Sequence, residues 1–173
     1  MIYNWMQVPS PIGNLTLVSN QDRLAAILWE VERPGRVRLG EMRHTPNDAM
    51  LSDVDLQLRQ YFAGERRQFD IELAFVGTDF QRDVWHALLA IPFGETRTYS
   101  QIAHEIGNPT AMRAVGAANG RNPISIIAPC HRVIGADGTL TGFAGGLPAK
   151  EYLLTLEGVP MKRSIVMQQQ TLF

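Results

Sequence analysis

The sequence predicts a mixed α/β protein of two units: an amino-terminal α/β unit built on a three-stranded antiparallel sheet, and a carboxy-terminal, mostly helical unit with a helix-turn-helix. Three observations lead there. Runs of strand-forming residues separated by turn signals fill the first third of the chain. Capped helical stripes dominate the region after residue 77. Between Glu105 and Asp137 no acidic residue occurs, while Arg113, Arg121 and Arg132 fall inside.

The strands come first. Ile2 to Val8 and Asn14 to Ser19 flank the turn Ser10-Pro11-Ile12-Gly13, and Leu24 to Glu30 supplies a third run, the pattern of a meander. Residues 31–50 hold Pro, Gly, Asn and scattered charges without a period, which predicts a loop with some irregular helix. At Ser52-Asp53-Val54-Asp55 a start of the capping-box kind precedes Leu56, Leu58, Tyr61 and Phe62, and Gly64 supplies the stop. A helix over 53–63 that covers the meander is expected. Residues 65–77 read as a linker or a last extended segment. Asp79 then caps a helix whose apolar stripe is Val84, Trp85, Leu88 and Leu89, ended by Pro92.

The next stretch has the sharpest local signals. Thr98-Tyr99-Ser100-Gln101 is a capping box that opens a helix through Ile102, Ala103 and Ile106, with Gly107 at its stop. Asn108 is expected to cap a second helix with Pro109 at its first position, where a missing N–H loses no partner. Two helices joined by a glycine-containing turn of three or four residues form a helix-turn-helix. On the second helix Arg113 lies about 200° from Val115, so an inward Val115 turns Arg113 outward. Ala111, Ala114, Gly116, Ala117 and Ala118 keep this helix slim. That suits close approach to a nucleic-acid backbone, and equally suits burial against neighbouring helices.

Composition bounds the function. The chain has 173 residues, 45% of them hydrophobic, enough to bury a real core. Lys plus Arg number 16 against 17 Asp plus Glu, so the net charge of −1 excludes an overall basic field, and any nucleic-acid contact is local. No apolar run approaches the roughly 18–20 residues of a membrane span. The start Met1-Ile2-Tyr3-Asn4-Trp5 lacks the basic and apolar regions of a signal peptide, and a lone cysteine forms no internal disulfide, so a reducing cytoplasm is expected.

That cysteine, Cys130, stands in Pro129-Cys130-His131-Arg132-Val133. A single cytoplasmic cysteine is more often a buried small hydrophobe than a nucleophile. Here an adjacent histidine and arginine favour the thiolate, and Pro123 and Pro129 stiffen the approach. Adjacent residues of a strand face opposite ways, so the Cys-His pair proves little alone.

Arg113-Ala114-Val115-Gly116-Ala117-Ala118-Asn119-Gly120, Asn122-Pro123, Pro129-Cys130-His131-Arg132-Val133-Ile134, Gly145-Gly146-Leu147 and Lys150-Glu151 together closely resemble the O6-alkylguanine-DNA alkyltransferases, also called methylated-DNA–protein-cysteine methyltransferases. The match runs from about Phe80 to Gly158. The first 76 residues resemble only loosely the ribonuclease-H-like α/β domain of that family. The resemblance implies a supporting domain over 1–76 and a DNA-binding and alkyl-acceptor domain over 77–158, and residues 159–173, which it does not cover, are expected to form a flexible tail.

It also implies roles. Cys130 takes the alkyl group by in-line displacement, one turnover per molecule, from O6-alkylguanine or O4-alkylthymine in double-stranded DNA. His131 draws the thiol proton through a water, and Glu157 holds the other imidazole nitrogen. The sequence permits this on its own terms, because on a helix from about Pro148 Glu157 shares the apolar face of Leu153 and Leu154, where a carboxylate wants a partner. Tyr99 resembles the tyrosine that donates to the base and crowds the phosphate as the nucleotide rotates out. Arg113 resembles the finger that fills the vacated place in the stack. Asn122 resembles the brace of the turn before the active segment. The carbonyls of Cys130 and Val133 resemble those that read the guanine amine.

One departure stands out. Ala144, next to Phe143, occupies a place where some members have serine, which implies a wider pocket open to larger alkyl groups or alkylated thymine. Other members hold zinc through cysteines and histidines of the first domain. With Cys130 alone and His44, His86 and His104 unclustered, no metal site and no cofactor are expected.

Beyond Gly158 the resemblance ends. Gln169-Gln170-Thr171-Leu172-Phe173 is similar to the short peptides by which bacterial repair proteins bind the sliding clamp, with a plain disordered end or a fold-back onto the chain as alternatives. A monomer is expected. A helix-turn-helix regulator without transfer activity is the competing reading. It would use the basic second helix but has no need of Pro-Cys-His-Arg.

Overall fold

In the computed structural model, which describes residues 1–161, the first three strands follow the turn signals of the sequence. Strand β1 (Ile2–Val8) pairs antiparallel with β2 (Leu15–Asn20), Asn4 facing Ser19 and Val8 facing Leu15. Strand β3 (Arg23–Leu28) pairs antiparallel with β2 across an irregularity at Val18 and Ser19. A fourth strand, β4 (Glu41–His44), joins parallel to β1, so the sheet runs β3-β2-β1-β4 instead of ending at three strands. All four β4 residues are exposed, which leaves no apolar alternation to announce it. Main-chain pairing with β1 makes the strand.

Helix α1 (Ala49–Phe62) packs on this sheet through Leu51, Val54, Leu58 and Tyr61. Full burial of side chains of this size contributes about 1.5–3 kcal/mol each. That exceeds the few tenths from an exposed helix ion pair such as Arg59–Asp55 and decides which face turns inward. The helix begins earlier than its Ser52-Asp53 signal suggests, because Asp48 is the N-cap and accepts from Leu51 N–H. The inner core joins these residues to Val8, Leu15, Leu17, Leu24 and Ile27, and also to Ile124, Ile126, Ile127 and Leu153 from the second half of the chain. Tyr3, Val18, Ala25 and Ala26 form a smaller core on the other face, covered by Val37 and Leu39.

Helix α2 (Asp79–Leu89) is capped by Thr78 in a capping box with Gln81, one residue before the Asp79 cap read from the sequence. A two-residue strand β5 (Arg97–Thr98) leads into α3 (Tyr99–Glu105), whose Thr98–Gln101 capping box is as expected. Helix α4 starts at Met112 and runs to Gly120, so Asn108 and Pro109 do not cap it. Ala111 N–H closes on Asn108 O at 3.0 Å, a β-turn with Pro109 at its second position, where the fixed φ of proline is equally welcome. Residues 106–111 thus separate the two helices, a longer connection than three or four residues. A second core of Val84, Trp85, Leu88, Ile91, Ile102, Ala103, Val115 and Ala118 binds α2, α3 and α4 together.

A 3₁₀ turn (Cys130–Arg132) and the short strand β6 (Val133–Ile134), parallel to β5, follow. Helix α5 (Leu147–Leu156) completes the described chain, with Glu157 at its C-cap. Among the described residues no helix is long and apolar enough to cross a membrane. Gln169, Leu172 and Phe173 lie outside the described residues.

Candidate active site

The segment from Asn122 to Arg132 carries Cys130, and both halves of the molecule hold it. Ile27 N–H of β3 donates to Pro123 O at 2.9 Å, with Ile27 bridging Ile124, so the segment is laid against the sheet edge. Asn122 Nδ2 donates to Ala128 O at 2.8 Å and its Oδ1 accepts from Ile124 N–H at 3.0 Å. The side chain therefore spans the turn from within. Arg36, buried in the 31–40 loop, donates to Asn122 O and is ion-paired with Glu32. Ile126 sits at φ 75°, a left-handed conformation that a β-branched residue adopts only at a cost of about 1–3 kcal/mol. The buried contacts around it outweigh that cost.

Cys130 is 3% exposed and belongs to the second core, with Tyr99 and Phe143 packed against the same cluster. Burial pushes its thiol up from the ordinary value. Hydrogen bonding from Asn122, the charge of Lys150, hydrogen bonding from Ser125 and the charge of Arg36 pull the other way. Lys150 itself is fully buried and donates from Nζ to Val133 O at 2.6 Å and to Thr141 O at 3.3 Å. Burial lowers Lys150 to about 8, against the pull of Cys130.

His131, 0% exposed, faces Glu157 with Nε2 2.8 Å from Oε1. A carboxylate only accepts, so Nε2 carries the proton and the neutral ring presents a lone pair at Nδ1. That Nδ1 is buried and has no hydrogen-bond partner among the described residues, and no direct hydrogen bond joins it to Cys130. Burial holds His131 below its ordinary range even though hydrogen bonding and charge from Glu157 act to raise it. The ring is therefore neutral near pH 7 and able to take a proton.

Glu157 is the hub behind the histidine. Besides His131 it accepts two bonds from Arg132, Nε to Oε2 at 2.9 Å and Nη2 to Oε1 at 2.8 Å. Tyr61 Oη donates to Oε1 at 2.7 Å, and Gly94 N–H approaches Oε2 at 3.3 Å. Burial alone would raise its carboxyl, but the hydrogen bonds from His131 and Arg132 overcome it and hold the group well below the usual carboxylate range. Arg132 reaches on to Ile91 O at 2.6 Å, tying α2 to the site. Burial and the neighbouring carboxylate push the Tyr61 hydroxyl far up, so it remains a donor.

The remaining residues fall into two places. Tyr99, first in α3, has its hydroxyl 2.5 Å from Thr141 Oγ1, which links the capping box to the segment leading to Phe143 and Ala144. Phe143 meets Trp29 edge-on at 5.3 Å, and Gly145 lies so close to the Trp29 ring that an added Cβ would stand 2.7 Å away. Val133 O already accepts from Lys150, so only its second lone pair is open to a base. Arg113 stands apart. It is exposed on α4, opposite the buried Val115, with no hydrogen bond or ion pair among the described residues.

Sequence reasoning missed Tyr61, Lys150, Arg36 and Ser125 as parts of this centre, and it read Arg132 as a cation beside the thiol without its bonds to Glu157. Only Lys150 had a usable signal, since it lies on the same α5 face as Leu153, Leu154 and Glu157. Among the described residues no group of histidine, cysteine and carboxylate side chains is placed to hold a metal.

Two family models match the chain. The ribonuclease-like domain of 6-O-methylguanine DNA methyltransferase covers residues 1–75, and the DNA-binding domain of the same protein covers 79–159. A methylated-DNA–protein-cysteine methyltransferase of Methanosarcina acetivorans is 50% identical over 149 residues, 86% of this chain and 94% of its own. One from Mycobacterium bovis is 51% identical over 156 residues, covering 89% and 92%. The crystal structure of Mycobacterium tuberculosis OGT in complex with DNA is similar with a TM-score of 0.81 and 49% identity, covering 91% of this chain and 92% of that one.

Proposed function

Because the chain belongs to the 6-O-methylguanine DNA methyltransferase family, we propose that it repairs DNA by moving the alkyl group of O6-alkylguanine, and of O4-alkylthymine, irreversibly onto Cys130. The observation that carries this reading is the buried arrangement of Cys130, His131 and Glu157.

The proton path follows from the tautomer. Nε2–H is committed to Glu157, so Nδ1 receives the thiol proton through a bridging water, and Lys150 and the Ser125 and Asn122 side chains favour the thiolate. The sulfur attacks the alkyl carbon, the carbon–oxygen bond breaks with its electron pair going to the base, and a thioether forms. A thioether has no hydrolytic route back, so each molecule reacts once.

Cys130 is too buried to meet a base inside a duplex, and the damaged nucleotide therefore turns out of the stack. Tyr99 donates to it, Arg113 fills its place, and the backbone around Phe143 and Ala144 lines the pocket. The amino-terminal residues 1–76 serve as support and 77–158 as the DNA-binding and acceptor part. Gln169, Leu172 and Phe173 are proposed to dock on a sliding clamp, which calorimetry of the intact and truncated chains against purified clamp decides.

The test of the main reading is stoichiometric. Mixed with a duplex holding one O6-methylguanine, the protein gains the mass of one methylene on the Cys130 peptide, one equivalent only. Binding without mass gain supports the regulator reading instead.

A further inference from the structure

Three donors meet on one oxygen of Glu157. Tyr61 Oη lies 2.7 Å from Oε1, His131 Nε2 2.8 Å and Arg132 Nη2 2.8 Å, whereas Oε2 takes Arg132 Nε at 2.9 Å and Gly94 N–H at 3.3 Å. A carboxylate oxygen offers two lone pairs, so three donors on Oε1 must share them. His131 and Arg132 are neighbours in the turn that carries Cys130. The third donor comes from α1, 96 positions before Glu157.

Tyr61 is anchored for this contact. It is fully buried, its ring edge-on to Phe62 at 5.5 Å and to Phe93 at 6.3 Å and tilted against Phe69 at 5.4 Å. Phe93 lies 5.9 Å under the Arg132 guanidinium and precedes Gly94, whose N–H reaches Oε2. Gly94 adopts φ 79°, and a Cβ there would stand 3.1 Å from Glu157 O, so this peptide approaches the carboxylate as only glycine readily allows. The phenol has a single proton and a carboxylate before it, so Tyr61 donates and draws charge away from the side that faces His131. The titratable and charged groups around the imidazole are Glu157 and Lys150 from α5, Arg132 and Cys130 in its own turn, and, across Oε1, Tyr61 from α1, on which Tyr152 of α5 also acts. Of these, Tyr61 is the one supplied by the amino-terminal half.

We propose that Tyr61 is a positioning residue for alkyl transfer: its hydroxyl shares Glu157 Oε1 with His131 and limits the charge that the carboxylate lends to the ring, so that helix α1 sets how strongly His131 takes a proton. The same bond stabilises the buried carboxylate. The proposal rests on His131 receiving the Cys130 proton, and its test is separable from that reading.

The experiment uses the full chain with Tyr61→Phe and, separately, with 3-fluorotyrosine introduced at position 61. The fluorinated phenol is close to tyrosine in size, more acidic, and therefore a stronger donor. The Nε2 proton of His131 is followed by NMR at neutral pH in protein with nitrogen-labelled histidine, assigned with His131→Gln, and the rate of reaction with free O6-benzylguanine is measured alongside. Tyr61→Phe is expected to move that proton downfield, as Nε2 gains a fuller share of Oε1, and to speed the neutral-pH reaction about threefold, the equivalent of about half a pH unit in the basicity of the ring. It should do so while lowering the melting temperature, since a buried charge has lost a donor. The fluorinated variant is expected to move the proton upfield and to slow the reaction by a similar factor. A side chain that only fills space would lower the melting temperature and leave both readouts unmoved. Should Tyr61→Phe not fold, the fluorinated variant, which keeps the bond, decides. A proton that is unmoved, that moves in the same direction in both variants, or that moves without the expected change of rate overturns the proposal. If the parent takes no alkyl group at all, the functional reading fails while the NMR signal still decides whether Tyr61 and His131 share Oε1.

Discussion

His131 Nε2 and Glu157 Oε1 lie 2.8 Å apart with both side chains fully buried, so this histidine has one nitrogen fixed by a charge and the other left for chemistry. Glu157→Gln keeps the shape but removes the charge that Arg132 also needs. Leaving a buried guanidinium without its counter-charge costs about 3–5 kcal/mol, read by chemical denaturation. In the parent the carboxyl is held below its ordinary value, so its contribution is complete at neutral pH and is lost only as pH falls below the usual carboxylate range. The variant should therefore lose stability at pH 7 and differ least from the parent in acid. Its pH–rate profile should also shift, because His131 loses the group that raises it. An unshifted profile would break the link between Glu157 and the histidine.

Cys130→Ala removes the proposed acceptor and leaves α4 untouched. Transfer should vanish while affinity for damaged duplex is retained, and the loss of one buried sulfur should cost about 1 kcal/mol of stability. Mass spectrometry after incubation with alkylated duplex checks it. Any residual protein alkylation at one equivalent would move the acceptor elsewhere.

Lys150 provides a pH signature with a definite sign. The unfolded chain keeps this proton up to 10.5 and the folded chain releases it near 8, so between those values the unfolded state binds more protons and the lysine's contribution to stability rises with pH. Lys150→Met lacks that contribution. The difference in unfolding free energy between parent and variant should shift toward the parent across this window, measured by denaturation at a series of pH values. Below the window the lysine is charged and supports the thiolate, so the variant's thiol should ionise at higher pH. A flat difference would mean that Lys150 is not titrating in the folded protein.

How much of this was legible follows from the kind of signal each feature leaves. Strands β1 to β3 and helix α3 announce themselves locally, by turn residues and by a capping box that needs no tertiary partner. Strand β4 leaves no trace because none of its side chains is buried. The start of α4 was misread because Asn108-Pro109 suits a β-turn as well as a helix start, and only tertiary packing chooses between them. At the site, Cys130, His131 and Glu157 could be named from a motif and a helical face. The bonds from Tyr61 to Glu157 and from Trp29 to Ser125 each span 96 positions and carry no periodicity. Arg132 was visible as part of the motif, but its two bonds to Glu157 were not.

Ala144 borders Phe143, which leans on Trp29, so this wall of the proposed base pocket is braced from behind and cannot easily yield. Ala144→Ser adds a hydroxyl at a place where the parent has only a methyl group. Discrimination in favour of methyl over benzyl groups should rise by about tenfold, the lower end of what one added group does in a fitted pocket. Competition between O6-methylguanine and O6-benzylguanine duplexes reads the ratio directly. An unchanged ratio would remove Ala144 from control of alkyl size.

Arg113 is exposed on α4 while Val115 on the same helix is fully buried, so its guanidinium is free to enter a duplex without disturbing the core. Turning a nucleotide out costs a few kcal/mol of stacking and pairing, and a side chain that fills the gap offsets part of it. Arg113→Ala should then slow transfer from duplex O6-methylguanine by about 100-fold, equivalent to about 2.7 kcal/mol, while the reaction with free O6-benzylguanine changes by less than about twofold. Free base needs no flipping, so the two substrates separate extrusion from chemistry. Lys at the same position keeps the charge but not the planar fork that stacks on bases, so Arg113→Lys should restore part of the binding and little of the duplex rate. Equal losses with both substrates would place Arg113 in the chemistry instead of the duplex, and equal rates for the Lys variant and the parent would reduce its role to charge alone.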